Sequence, residues 1–176
     1  VVTLTHPNYP PKNLVRNSHY DWSLEDIVFE SSINAPTGVT ATFSASTPTS
    51  KKKTYKYVVT AVKTGDNEES KRSDEVSCVA HREASWTVDE YITIAWTAVT
   101  GATEYNVYKQ VNGLFGYIGT AAGTSFVDDN IEPDLSSCAP VVNNPFKDNN
   151  NPSCSGHFQQ RKMYANSDNN PQTLWA

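Results

Sequence analysis

Short segments of alternating apolar and polar residues between positions 39 and 129 constrain the fold of this chain more than any other feature. The run 91–97 has apolar residues at alternate positions, Ile92, Ile94 and Trp96. Side chains two residues apart lie on the same side of a strand, so this is the pattern of a strand with one buried face. Similar short runs recur along the segment and are separated by turn residues. This arrangement is typical of an antiparallel β-sandwich.

Two further signals sharpen this prediction. The run 54–62 is the most strand-like in the chain and has the same two-residue period. Asn112-Gly113 is the strongest hairpin signal, because both residues tolerate the positive φ that a two-residue turn requires. The inward parity of these strands predicts a core made of Tyr55, Tyr57, Val59, Ile92, Ile94, Trp96, Tyr105, Val107 and Phe126.

The chain divides into three predicted parts. Residues 1–32 should form an extended N-terminal arm with one strand, because three prolines between positions 7 and 11 exclude a helix or a central strand. Residues 33–132 should form the sandwich. Residues 133–176 are rich in Asn-Pro turns and should form a loop-rich tail with one strand, at 158–166, leading into a further domain. Neither flank is expected to build a core of its own.

Composition excludes several classes of protein. The net charge of -5 disfavours a strongly basic nucleic-acid-binding chain. No run approaches the roughly 20 apolar residues of a membrane helix, so membrane insertion is not expected. No basic residue followed by an apolar stretch marks a signal peptide near Val1. The odd number of cysteines, Cys78, Cys138 and Cys154, favours free thiols over a disulfide scaffold.

The strand segments resemble those of fibronectin type III domains. The runs 91–97, 101–108 and 124–129 are similar to the second, third and fifth strands of that fold. The run 54–62 is similar to the sixth strand, with Tyr55 at the position of its corner tyrosine. Here the sixth and seventh strands precede the second to fifth. The resemblance therefore implies one sandwich with permuted strand order, the alternative being two incomplete sandwiches, for which there are too few large apolar side chains.

The chain as a whole resembles the tail nozzle proteins, of the tail tubular protein B type, of short-tailed bacteriophages. Besides the sandwich, three segments carry the resemblance: Thr5-His6-Pro7 with Tyr9-Pro10-Pro11 and Trp22; Ile131-Glu132-Pro133-Asp134 leading to Asn144-Pro145-Phe146; and Phe158-Gln159-Gln160-Arg161-Lys162-Met163-Tyr164-Ala165 followed by Asn170-Pro171-Gln172-Thr173-Leu174-Trp175. The chain would then be an internal part of a longer protein.

This family resemblance implies a structural role in the virion rather than catalysis. Copies of such proteins assemble in the host cytoplasm into a ring that extends the phage tail and contacts other tail proteins. DNA passes through the bore without specific binding. On this basis we expect interface residues in the last segment, namely Phe158, Arg161, Leu174 and Trp175.

Candidate chemistry in the sequence is weak. The acidic residues Asp128, Asp129, Glu132 and Asp134 could offer oxygen ligands to Ca²⁺, but they lack the spacing of a calcium loop and a solvated turn is favoured. We predict neither a metal nor another cofactor. No nucleophile lies in a motif such as Gly-x-Ser-x-Gly, so we predict no enzymatic activity.

Two other interpretations remain open. The lysines at positions 51–53 either contact phosphate or keep a loop solvated, and the second is favoured in an acidic chain. The aromatic residues near predicted loops, Trp86, Phe115 and Tyr117, either stack on sugars or serve as core and interface residues. The alternative function is therefore a carbohydrate-binding or host-adhesion module of a phage tail or secreted protein, with a host surface glycan as its partner.

Overall fold

A computed structural model describes residues 1–65, 67–141 and 144–176. In these residues the chain folds into strands that pair antiparallel, with one short 3-10 helix at Glu83–Ser85 and no α-helix. No helix in this part of the chain has the length and apolarity needed to cross a lipid bilayer. The predicted all-β, antiparallel fold is confirmed. The strands are β1 (Val2–His6), β2 (Tyr9–Arg16), β3 (Trp22–Asp26), β4 (Thr40–Phe43), β5 (Lys52–Lys63), β6 (Val76–His81), β7 (Ile92–Ala95), β8 (Ala102–Val111), β9 (Leu114–Ala121), β10 (Ser125–Asp128), β11 (Asp134–Cys138), β12 (Pro152–Phe158), β13 (Arg161–Ser167) and β14 (Leu174–Trp175).

One compact unit comprises Ser31–Val142 and contains two sheets. The smaller sheet has the strand order β10-β7-β4, and the larger has the order β11-β9-β8-β5-β6. Residues 134–138 were expected to be part of the loop-rich tail, but they form β11, which pairs with β9 in the larger sheet. Its register is irregular, because Asp134 lies opposite Tyr117 while Cys138 lies opposite Gly116.

The two sheets of this unit share one hydrophobic core. The side chains of β5 that enter it follow the predicted parity, and those of β7 and β8 do the same. All the predicted core residues are buried except Phe126, which is half-buried and packs against the same cluster. The other face of the larger sheet carries a second, smaller cluster of Val58, Tyr108, Phe115 and Ala139.

The hairpin between β8 and β9 turns at Asn112-Gly113. Both residues have positive φ, 52° and 86°, and the flanking pair is Val111 opposite Leu114. These angles match a type I′ turn, whose twist agrees with that of the strands it joins. The turn positions β8, which carries Lys109, against its neighbours in the sheet.

The second compact unit comprises Val1–Glu30 and Asn143–Ala176. It contains the sheets β1-β2-β3 and β12-β13-β14, whereas the sequence predicted one strand in each flank. Pro10 and Pro11 lie in β2, the central strand of its sheet, contrary to the prediction. They fit because the β1–β2 register is irregular there and pairing with β3 begins only at Lys12, so neither proline N–H is needed.

An aromatic cluster links the two sequence segments of this unit. The ring of Phe29 lies 4.9 Å from that of Phe146 and 5.3 Å from that of Tyr164, measured between centroids. Phe146 also contacts Trp175 at 5.1 Å. The cluster therefore draws on both flanks, and each segment supplies only part of it.

Candidate functional site

The four acidic residues predicted as weak metal ligands occupy different environments at the end of β10. Asp128 is fully buried, whereas Asp129, Glu132 and Asp134 are exposed. The Asp134 carboxylate accepts hydrogen bonds from the hydroxyl and the backbone N–H of Ser136, which lower its pKa. Among the described residues, no three His, Cys, Asp or Glu side chains gather in a way that could hold a metal ion.

Asp128 is instead the centre of a buried hydrogen-bond network. Its Oδ1 accepts the backbone N–H of Asn130 at 3.0 Å and of Ile131 at 2.7 Å. Its Oδ2 accepts the hydroxyl of Tyr57 at 2.7 Å and lies 2.9 Å from Nζ of Lys109. Both oxygens are thus satisfied by groups that the fold fixes, as a buried carboxylate requires.

Lys109 projects from β8 into the core. Its side chain is 3% exposed, and its Nζ donates to the carbonyl oxygen of Ile131 at 2.9 Å. The ammonium lies 5.2 Å from the ring centroid of Tyr55 and 5.9 Å from that of Trp86, within the range of cation–π attraction. A buried ion pair costs desolvation energy, and these contacts offset part of it.

The tyrosines beside this pair have raised pKa values. Burial is the main cause of the raised pKa of Tyr57, and the charge of Asp128 adds to it. Burial likewise raises the pKa of Tyr55 to about 12. The hydroxyl of Tyr55, the residue expected as a corner tyrosine, donates to the carbonyl of His81 and not to backbone a few residues upstream.

A cavity of about 420 Å³ opens next to Lys109. Its wall includes the ion pair of Lys53 with Glu83 and the turn at 130–133. Partial burial acts to raise the pKa of Glu83, but hydrogen bonding to Lys53 and other effects outweigh it. The pKa of Glu83 is therefore lowered overall. Lys53, one of the three lysines considered for phosphate binding, is therefore already paired with a carboxylate.

A second feature is an apolar, outward face on the sheet β1-β2-β3. Directly paired residues of an antiparallel sheet share a face, which places Val2, Leu14 and Leu24 in one row. Leu4 and Trp22 lie in the adjacent rows on the same face, which also carry the Lys12–Asp26 ion pair and Arg16. Val2 and Leu24 are each 55% exposed, Trp22 is 52% exposed and Leu4 is 45% exposed.

The predicted interface residues of the last segment lie in β12, β13 and β14. Phe158 and Leu174 are exposed. Arg161 is also exposed and pairs with Phe158 in the β12–β13 hairpin. Trp175 is half-buried because its ring packs on Phe146, so it belongs partly to the core of this unit.

The aromatic residues considered for sugar stacking do not form an exposed platform. Phe115 is 6% exposed and lies in the second core cluster, with Tyr117 packed against it. Trp86 is half-buried, and its indole N–H donates to the carbonyl of His81 at 2.7 Å. Phe115 is thus a core residue, the other role considered for it, because β9 turns this side chain onto the sheet.

Lys109 is a central residue of this network that sequence patterns did not single out. The alternation of inward and outward side chains along β8 could have revealed Lys109, because Tyr105 and Val107 precede it at the inward positions of the same strand. A lysine that continues an apolar row is either at the strand end or buried with a partner. The partner, Asp128, was predicted only as a metal candidate.

Comparisons with protein-family models, curated proteins and solved structures found no match to this chain.

All three cysteines are free, with Cys78 half-buried and Cys138 and Cys154 exposed.

Proposed function

We propose that this chain is a non-enzymatic structural module that acts by packing against copies of itself and against neighbouring proteins. The observation that carries the proposal is the apolar outward face of β1-β2-β3. Exposed apolar side chains grouped on one face and bordered by charged residues are typical of a protein–protein interface, and their burial contributes about 25 cal/mol per Å². The chemistry of this face therefore suits another protein surface better than water.

The assembly we propose is the tail nozzle of a short-tailed bacteriophage. The proposal rests on the order of the segments that resemble this family, from Thr5-His6-Pro7 to Leu174-Trp175. Sibling copies would form a ring around the DNA conduit in the virion, after assembly in the host cytoplasm. The net charge of -5 suits such a wall, since DNA is held mainly by Lys and Arg contacts to phosphate.

For the Ser31–Val142 unit we infer a fibronectin type III-like sandwich with permuted strand order. In such sandwiches the second strand pairs with the first and fifth, and the sixth lies between the third and seventh. The pairings β4-β7-β10 and β8-β5-β6 support this comparison, with β7 in the role of the second strand and β5 in that of the sixth. The sixth and seventh strands then precede the second in the chain.

The oligomeric state of the natural full-length protein tests the proposed function. Leu4→Glu and Leu24→Glu place charge on the apolar face without disturbing a core, because both side chains are exposed. Val88→Glu, at a position 98% exposed in the other unit, is the matched control. Size-exclusion chromatography with light scattering should show a ring for the wild type and the control, and smaller species for the two face variants. Rings of unchanged size in both face variants would contradict the proposal.

A further inference from the structure

We propose that Lys109 and Asp128 condense into an intramolecular amide bond, an isopeptide, that links the two sheets of the Ser31–Val142 unit. The link would join β8 of the larger sheet to β10 of the smaller one. This inference goes beyond the proposed function and does not depend on it.

The geometry brings the two reacting groups together. Nζ of Lys109 lies 2.9 Å from Oδ2 of Asp128, the oxygen bonded to the carboxyl carbon, Cγ. The exposed fractions of the two side chains are 3% and 0%. Transfer of one proton from the ammonium to the carboxylate across this 2.9 Å contact gives a neutral amine beside a carboxylic acid. These are the forms that react.

The backbone provides a site for the negative charge that develops during the attack. When Nζ adds to Cγ, charge accumulates on Oδ1. The N–H groups of Asn130 and Ile131 already point at this oxygen, at 3.0 and 2.7 Å. Two fixed N–H donors at these distances are the arrangement of an oxyanion hole.

The leaving oxygen and the amine also have partners in position. The hydroxyl of Tyr57 lies 2.7 Å from Oδ2 and can pass a proton to it as the Cγ–Oδ2 bond breaks. The carbonyl of Ile131, 2.9 Å from Nζ, orients the amine through one of its N–H bonds. The fold therefore holds nucleophile, acid and oxyanion donors in place before reaction, which is the source of a proximity effect.

The reaction is balanced within these residues. The Nζ–Cγ bond forms and the Cγ–Oδ2 bond breaks; two of the three ammonium hydrogens leave with Oδ2 as water, and the third stays on the amide nitrogen. Tyr57 regains the proton it passes on, and no oxidant or reductant is needed. The cavity of about 420 Å³ beside Lys109 receives the expelled water. In the product, Oδ1 keeps its two N–H donors and the amide N–H keeps the Ile131 carbonyl.

The mass of the folded protein tests this proposal directly. Under denaturing conditions the intact mass should be lower than that of the sequence by one water molecule. A protease digest analysed by tandem mass spectrometry should contain a branched peptide that joins the Lys109 and Asp128 segments. Trypsin should not cut after Lys109 in that product, because an acylated lysine is not a substrate.

Three variants separate this bond from other losses of mass. Lys109→Met removes the nucleophile, so its mass should equal that of its sequence. Asp128→Asn should still form the bond but release ammonia, and its product should have the same mass as the wild-type product. Tyr57→Phe, which keeps the ring and removes the acid, should show a larger unreacted fraction at equal times after folding.

The mass and the digest of the wild-type protein test the proposed bond even if a variant fails to fold. A wild-type sample that melts cooperatively, has the full mass of its sequence and is cut after Lys109 would overturn the proposal. So would the same loss of mass in Lys109→Met, since the water would then come from elsewhere in the chain.

Discussion

Tyr57 donates its hydroxyl hydrogen to Oδ2 of Asp128 at 2.7 Å, which connects a strand of the larger sheet to a strand of the smaller one. Tyr57 is fully buried, and this burial is the main cause of a pKa well above the ordinary value of 10.0. The pKa of Tyr55, raised by burial, is about 12. Both phenols therefore stay protonated in the folded protein at a pH where an unfolded chain ionises.

This difference predicts a loss of stability in alkaline solution. Above pH 10.0 the unfolded chain releases the tyrosine protons while the folded chain keeps them, so the unfolded state binds fewer protons and the free energy of unfolding falls. For Tyr55 the fall extends from pH 10.0 to about 12. Each tyrosine that stays fully protonated contributes a slope of up to about 1.4 kcal/mol per pH unit. Urea unfolding at a series of alkaline pH values measures this slope.

Phenylalanine variants assign the alkaline loss to particular tyrosines. Tyr57→Phe removes the phenol and should make the slope shallower. Tyr20→Phe is the control, because Tyr20 is 92% exposed and should leave the slope unchanged. A free energy of unfolding that stays constant across the alkaline range would show that these phenols are not protected by the fold.

Trp96 tests the core of the Ser31–Val142 unit. It is 6% exposed, and its ring lies 5.2 Å from that of Tyr105. Trp96→Ala should lower the free energy of unfolding by about 3–5 kcal/mol, because the cavity it leaves cannot close fully. Trp96→Phe should cost clearly less, since among the described residues the buried indole N–H has no hydrogen-bond partner to lose. A denaturant titration in which both variants match the wild type would place Trp96 outside the core.

Phe146 tests whether the two flanks form a unit. Phe146→Ala removes the ring that contacts Phe29, Tyr164 and Trp175, at an expected cost of about 3–5 kcal/mol. Amide hydrogen exchange should accelerate in β12 and β13. The control is Phe158→Ala, in which an aromatic ring that is 62% exposed is removed from the same unit. Equal exchange rates in the two variants would mean that the aromatic cluster does not stabilise these strands.

Parity explains why the core of the larger unit was predictable from sequence. Successive side chains of a strand point to opposite faces, so the alternation of Ile92, Ile94 and Trp96 is enough by itself to indicate a buried face. The second cluster, which includes Val58 and Tyr108, was harder to predict from the sequence. In a strand covered on both faces, the alternation of apolar and polar residues disappears.

The organisation of the other unit could not be predicted in the same way. Phe29 and Phe146 are far apart in sequence, and neither lies in a run with a clear period. Their contact is a tertiary relationship that local patterns do not encode. The prolines of β2 misled the prediction for a related reason, since proline is tolerated at an irregular register that only the pairing reveals.

The candidate site shows the same limit. The acidic run at 128–134 is visible in the sequence, but its composition alone suggests an exposed turn. Burial separates Asp128 from its exposed neighbours, and the partner that explains its burial, Lys109, comes from another sheet. Residue types predicted the chemistry that was possible, and the packing of the sheet that contains β8 against the sheet that contains β10 determined which groups meet.

Two glycine positions offer a test of the hairpin that positions Lys109. Gly113 has φ of 86° in the β8–β9 turn, whereas Gly123 has no positive φ, and an added Cβ would meet no atom within 4 Å at either position. The comparison therefore isolates backbone conformation from packing. Gly113→Ala should lower the free energy of unfolding by roughly 1–2 kcal/mol, because an L-residue is disfavoured at positive φ. Gly123→Ala should be neutral or stabilising by up to about 1 kcal/mol, through the smaller entropy of the unfolded chain. Denaturant titrations of the two variants measure the difference, and equal effects would show that the turn does not hold the left-handed conformation at Gly113.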